Sequence, residues 1–303
     1  MTPSRDLHGW QRYLGSIQLP VLTYTPAALQ ELAGKMDTLS ARHLSQIILR
    51  DPLMALQVIM YLQNHQGRLR NHDITTIGQA LLMLGMGPFF RHFSGQRTID
   101  SLLATQPEAL QRCRAVISRA RLAALYAHRL AELRHDTDSE EVMLAALLHD
   151  IAEILLWCFA PEHMIAVSDL LRAHPGMRSA EAQQRLLGFN INQLQHLLIT
   201  EWRLPQILQT LMNEAKPDNS RTACTVMSVD LARHASYSWQ DPGVEHDLAA
   251  MADILHLSVD EIWRHMRDTA LLAAEEWPLY GVRPVAAKLV ETAGDRESSP
   301  RQK

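Results

Sequence analysis

The chain has 303 residues, 47% of them apolar and 20% charged, with a net charge of −4. That is enough chain for one large domain or two modest ones, and it excludes an overall basic field that would draw the protein to nucleic acid or anionic lipid. Cys113, Cys158 and Cys224 are odd in number and far apart, which excludes a disulfide framework and fits a reducing cytoplasm. Aromatic residues make up only 6%, while Leu, Ala and Met are plentiful, a bias toward helix over sheet. Met1 to Leu14 carries charges and no apolar core, so no secretory signal is expected. No stretch reaches the roughly 18 consecutive apolar residues of a membrane span.

Nearly every segment reads with helical period. Leu29, Leu32 and Met36 share one face, and Ser40 is placed to cap a helix carrying Leu44, Ile47 and Ile48 inward. Asp51-Pro52 opens the next helix, the acid as cap and the proline at the first helical position, where its missing N–H costs nothing. Thr76 starts another, with Ile77, Ala80, Leu81 and Leu84 on one side and Gly85 as the stop. Phe89, Phe90 and Phe93 follow; they read either as a packing seam, the preferred reading, or as an exposed surface for a partner.

A long helix then runs from near Pro107 to about His135. Asp136-Thr137-Asp138-Ser139 is a polar turn whose serine can cap a helix reaching Leu147-Leu148-His149-Asp150-Ile151 and ending at Pro161. Helices continue with breaks near Pro175-Gly176, Gly188, Pro205 and Pro217. Ser258-Val259-Asp260-Glu261 has capping-box spacing. The end of the chain, with Gly, Asp, Arg, Glu, Ser and Pro, reads as a disordered tail.

The most informative pair is His149-Asp150, two polar side chains in an apolar run. Burying a carboxylate beside an imidazole is costly unless something pairs with both, either a divalent metal or a hydrogen-bond network.

The order of these elements resembles the HDOD family, a helical branch of the HD phosphohydrolase superfamily, over roughly residues 17–275. Leu19-Pro20, Asp51-Pro52, Leu62-Gln63-Asn64 and Ile74-Thr75-Thr76-Ile77 carry the first half. Ala145-Ala146-Leu147-Leu148-His149-Asp150-Ile151, Gly188 and Glu201-Trp202-Arg203-Leu204-Pro205 carry the second. The resemblance implies an all-α fold, an HD-like helical domain preceded by an N-terminal helical bundle, as a single HDOD unit. On this basis residues 1–16 are an N-terminal extension, 17–105 the N-terminal subdomain and 106–220 a degenerate HD-like subdomain. Residues 221–285 are helices packed on it, and 286–303 the tail.

In catalytic HD proteins the resemblance implies a metal held by an upstream His, the His-Asp doublet and a downstream Asp, a donor set suited to a divalent ion that activates water. Here the doublet is kept and Asp230 is available downstream, but the upstream slot falls at Arg119, which cannot ligate a metal. Ile151-Ala152-Glu153 replaces the Ile-Gly-Lys that typically follows the doublet in active relatives. The extra histidines and the Gly-Tyr-Pro signature of cyclic-dinucleotide phosphodiesterases are missing as well. The expectation is therefore no catalytic residue, no metal and no cofactor. A structural clamp of Arg119, His149, Asp150 and Asp230 takes the metal's place, with His149 a core histidine. His43, His65, His72, His196 and His265 show no ligand spacing, His234 and His246 read as surface residues beside a loop, and Glu275-Glu276 as a solvated face.

The implied function is a non-catalytic bacterial signal-transduction module, in a setting of cyclic-di-GMP or two-component signalling. It is expected to be cytoplasmic, without membrane insertion or nucleic acid, and to act in trans on signalling proteins. No receiver, GGDEF or EAL signature accompanies it. One alternative is a metal-dependent phosphohydrolase with a rearranged cage, recruiting His128 or His196 and a divalent metal. Another is a nucleotide sensor that binds phosphates through Arg112, Arg114, Arg119 or Arg121 without hydrolysis. The clamp reading predicts that Arg119→Ala lowers unfolding stability by about 3–5 kcal/mol in urea denaturation; a loss within the ordinary surface range would refute it.

Overall fold

A computed structural model describes residues 6–35, 40–65, 74–214, 219–283 and 286. Much of the expected C-terminal tail lies outside these residues. In chain order the helices are α1 (Leu7–Ser16), α2 (Tyr24–Ala33), α3 (Ala41–Ile48), α4 (Pro52–His65), α5 (Ile77–Leu84) and α6 (Met86–Phe93). Then come α7 (Ile99–Leu102), α8 (Pro107–Leu133), α9 (Ser139–Leu148), α10 (Ile151–Phe159), α11 (Pro161–Ala173) and α12 (Ser179–Leu187). The last are α13 (Ile191–Glu201), α14 (Gln206–Leu211), α15 (Ser220–Tyr237), α16 (Pro242–Leu255), α17 (Val259–Glu275) and α18 (Trp277–Tyr280). Among the described residues extended pairing is limited to one isolated parallel bridge, Val21 with Thr98. The fold is all-α.

The helix starts follow local side-chain chemistry. Ser40 accepts from the His43 N–H at 3.2 Å, and Thr76 from the Gln79 N–H at 3.2 Å. Ser258 and Glu261 close a full capping box. Gly85 ends α5 with φ +75°, a left-handed conformation that glycine adopts without the Cβ penalty.

Two compact units emerge, one from residues 1–117 with 148–210, the other from 118–147 with 211–303. In the first, α4 sits at the centre, with Leu53, Met54, Ala55, Leu56 and Val58 fully buried. It packs on α3 and α5, α5 on α6, α10 on α11 and α13, and α1 on α13. Phe89, Phe90 and Phe93 are buried, with ring centroids 5.4 Å apart for Phe89–Phe90 and 5.0 Å for Phe89–Phe93. This corrects the reading of the three as a partner surface: their spacing puts all three on the inward face of α6, where the rings bury most apolar area.

In the second unit α15 packs on α16, α16 on α17, and α17 on α18. Arg221 joins the 136–141 turn to α15, reaching Asp136 at 2.7 Å, Glu141 at 2.9 Å and the Asp138 carbonyl at 2.9 Å. His234 keeps a side chain 39% exposed and sets its Nδ1 2.7 Å from the buried Asp247 carboxylate. The ring passes so close to Gly243 that a Cβ there would stand 2.6 Å from it.

Ser139–Phe159 is long and apolar enough, by length and composition, to cross a membrane, with a mean hydropathy of 1.9. It is not a run of consecutive apolar residues, since it holds Glu140, Glu141, His149, Asp150 and Glu153, and 89% of the window is buried inside the protein, the environment of a core segment.

Asp51 carries more than its own helix cap. It is fully buried. One carboxylate oxygen accepts from the Leu53 and Met54 N–H groups at 3.0 and 3.1 Å, the other from the Leu22 N–H at 2.8 Å and the Thr25 hydroxyl at 2.6 Å. Burial pushes its pKa up, and these four donors pull it back. Asp51→Ala should cost roughly 3 kcal/mol or more in urea denaturation, because four buried donors lose their acceptor. Asp51→Asn should recover only part of this, since its amide N–H₂ faces two of the donors.

Candidate functional site

Sequence periodicity placed His149-Asp150 inside one helix. Instead α9 stops at Leu148 and α10 starts at Ile151, with the doublet in the turn between them. Asp150 has φ −99° and ψ 20° and makes no capping bond through its side chain. Both side chains are buried, at 5% and 6% exposure, and His149 Nδ1 lies 3.7 Å from Asp150 Oδ1.

A helix break in a buried apolar run leaves backbone groups without helical partners. Gln195 on α13 supplies them. Its Nε2 donates to the Leu148 carbonyl at 3.0 Å, and its Oε1 accepts from the Ala152 N–H at 2.8 Å. One buried amide thus spans the doublet, satisfying an acceptor before it and a donor after it. Gln195 was missed by sequence reasoning, although a signal was present. Ile191, Leu194, Leu198 and Ile199 form the apolar stripe of α13, and Gln195 falls within it. A glutamine on the inward face needs buried partners.

Further along α10, Cys158 meets Cys113 of α8, the sulfurs 3.6 Å apart. Contact with Cys158 and burial hold the Cys113 thiol well above its usual pKa, so it is a packed, protonated thiol with little nucleophilic character.

Arg119 on α8 and Asp230 on α15, the other two residues of the expected clamp, are half-buried members of the second unit. Within that unit Asp230 lies 3.5 Å from the Arg233 guanidinium, which also reaches Glu214 at 3.4 Å. Two histidines were considered as substitute ligands. His196 is exposed on α13, and His128, in the second unit, pairs with Glu132 at 3.4 Å. Among the described residues no three His, Cys, Asp or Glu side chains converge as metal ligands. A resident divalent ion would need three or more such donors together.

The arginines weighed for phosphate binding are mostly engaged. Arg121 is buried and forms a bidentate pair with Glu276, Nε at 2.9 Å and Nη2 at 3.0 Å. Glu276 is therefore not part of a solvated face, contrary to the reading of Glu275-Glu276. Arg114 pairs with Asp100, and Arg112 sits 3.8 Å from Glu108.

Comparison with known proteins now adds three findings. The family model for the HDOD domain matches residues 19–217. The chain is similar in structure to the MmoQ response regulator from Methylococcus capsulatus, at 18% identity and TM-score 0.63, covering 83% of this chain and 99% of that one. It is also similar to a virulence factor from Campylobacter jejuni, at 15% identity and TM-score 0.62, covering 88% of this chain and 100% of that one. At these identities the likeness is one of fold. No curated protein matches.

The bridging role of Gln195 yields a direct contrast between neighbours. Gln195→Leu should lose roughly 2–5 kcal/mol, from two buried backbone groups left unsatisfied, whereas His196→Ala on the exposed side should stay within about 0.5 kcal/mol of wild type. Equilibrium denaturation of the two variants checks both values.

Proposed function

This chain belongs to the HDOD family, and from that membership we propose that it is a non-catalytic signal-transduction module acting on partner proteins in the cytoplasm. A signalling-associated role accords with the family match and with the response-regulator neighbour. The non-catalytic reading rests above all on one observation: the turn holding His149-Asp150 is tied at both ends by Gln195. In an HD enzyme the doublet is half of a metal cage. Here it is a buried polar turn whose neighbouring backbone groups are satisfied by an amide, and the histidines that could replace the lost ligand are exposed or paired elsewhere.

A module of this kind works by presenting surfaces whose affinity for partners changes with an input. The resemblance supplies the setting, cyclic-di-GMP or two-component signalling, and the partners are signalling proteins met in trans. The phenylalanine cluster does not supply the surface, because it is interior.

The test uses the purified full chain. Metal content is measured by mass spectrometry, and phosphodiesterase turnover on bis(p-nitrophenyl) phosphate is followed with added Mn²⁺ or Mg²⁺. The expected result is far less than one ion per chain and no turnover above the buffer rate, with Asp150→Ala indistinguishable from wild type. About one tightly held divalent ion per chain, with turnover abolished in Asp150→Ala, would establish the phosphohydrolase reading instead.

A further inference from the structure

His234 stands in the last turn of α15 with its side chain partly exposed. Its Nδ1 lies 2.7 Å from Oδ2 of Asp247, a buried residue of α16. Gly243, one turn before Asp247 on the same helix, seats the ring: a Cβ there would stand 2.6 Å from Cγ and Nδ1 and 2.7 Å from Cε1. One edge of the imidazole is therefore held by α16. The other edge is open: among the described residues Nε2 is neither buried nor hydrogen-bonded.

An ionised carboxylate only accepts, so Nδ1 carries the proton and Nε2 the lone pair. The ring presents one fixed nucleophilic nitrogen to solvent, with an anion behind it. Burial raises the Asp247 carboxyl above its usual range, and the bond from His234 pulls it back. A fuller positive charge on the ring would stabilise that poorly solvated anion. Asp230, one turn before His234, and His246, next to Asp247, also act on the carboxylate. A histidine oriented in this way can ligate a metal, act as a general base or be a nucleophile itself. Ligation needs further donors and general-base work needs a hydroxyl or thiol at Nε2, whereas the nucleophile needs only the ring and its carboxylate.

We infer that His234 is a phosphoryl acceptor, taking the group on Nε2 from an acyl phosphate. Nε2 attacks phosphorus, the bond from phosphorus to the acyl oxygen breaks, and the carboxylate leaves with that electron pair. The Nδ1 proton stays in place, so the ring becomes a cation that Asp247 neutralises. The inference takes only the donor class from the signalling reading, since the aspartyl phosphates of two-component proteins are acyl phosphates. Labelling is read directly, without metal or turnover, so the two can fail separately.

In the experiment the full chain is incubated with acetyl phosphate, and phosphohistidine is mapped by peptide mass spectrometry at alkaline pH, where the P–N bond survives. His234 should be labelled about tenfold or more faster than the exposed His196, and phosphorus NMR should place the group on Nε2. Asp247→Asn keeps the shape and removes the charge, so labelling should fall about tenfold. Part of the remaining label should move to Nδ1, a change that a merely structural role for Asp247 would not produce. Gly243→Ala favours the helix but displaces the ring, and should lower labelling of His234 while leaving that of His196 unchanged. A receiver domain from the native cell, phosphorylated on its aspartate, forms a second arm. Transfer from it that outpaces acetyl phosphate assigns a protein donor, and transfer from acetyl phosphate alone assigns a small one. No label on His234 from either donor, or label no faster than on His196, would overturn the inference, as would a rate unchanged in both Asp247→Asn and Gly243→Ala.

Discussion

The first unit is organised around a carboxylate that never meets water. Asp51 is placed by the sequence as a helix cap, and it does cap α4, but its second oxygen is what ties the unit together. By accepting from Leu22 and Thr25 it fixes the entry to α2 against the start of α4. A buried acid without donors would cost far more than it contributes; with four it becomes a joint that tolerates little displacement. Between the two elements so joined runs α3, which packs on both α2 and α4.

The doublet turn applies the same physics to a neutral group. An apolar helical run can be interrupted in the interior only if the freed backbone groups find partners. Gln195 provides an acceptor and a donor on one planar amide, at the separation that the Leu148 carbonyl and the Ala152 N–H require. The interruption lets His149 and Asp150 leave the helical register, and it was invisible to periodicity, because the apolar residues on both sides continue in phase.

What could be read from the sequence divides along this line. Caps and breaks depend on residues three or four positions apart, and Ser40, Thr76, Asp51, Gly85 and the Ser258–Glu261 box all stand where local chemistry put them. Family and fold class were legible for a related reason, since they rest on the order of such signals. Partners distant along the chain were not. Nothing local pairs Arg121 with Glu276, 155 positions away, or Gln195 with Leu148, 47 positions away. The phenylalanines stand between the two cases: their spacing puts them on one face, and the preferred reading of that face as a packing seam agrees with their burial.

The arginines show why net charge and clustering are poor guides to a binding site. Arg112, Arg114, Arg119 and Arg121 are close in sequence and suggested a phosphate-binding run, yet Arg121 is locked between two carboxylate oxygens of Glu276 and Arg114 faces Asp100. Arg221 reaches two acids and a carbonyl at once. A guanidinium held in this way has its directional donors committed, and an incoming phosphate would have to displace a carboxylate already desolvated around it. What matters for a ligand is the local ratio of cations to acids around an opening large enough to admit it.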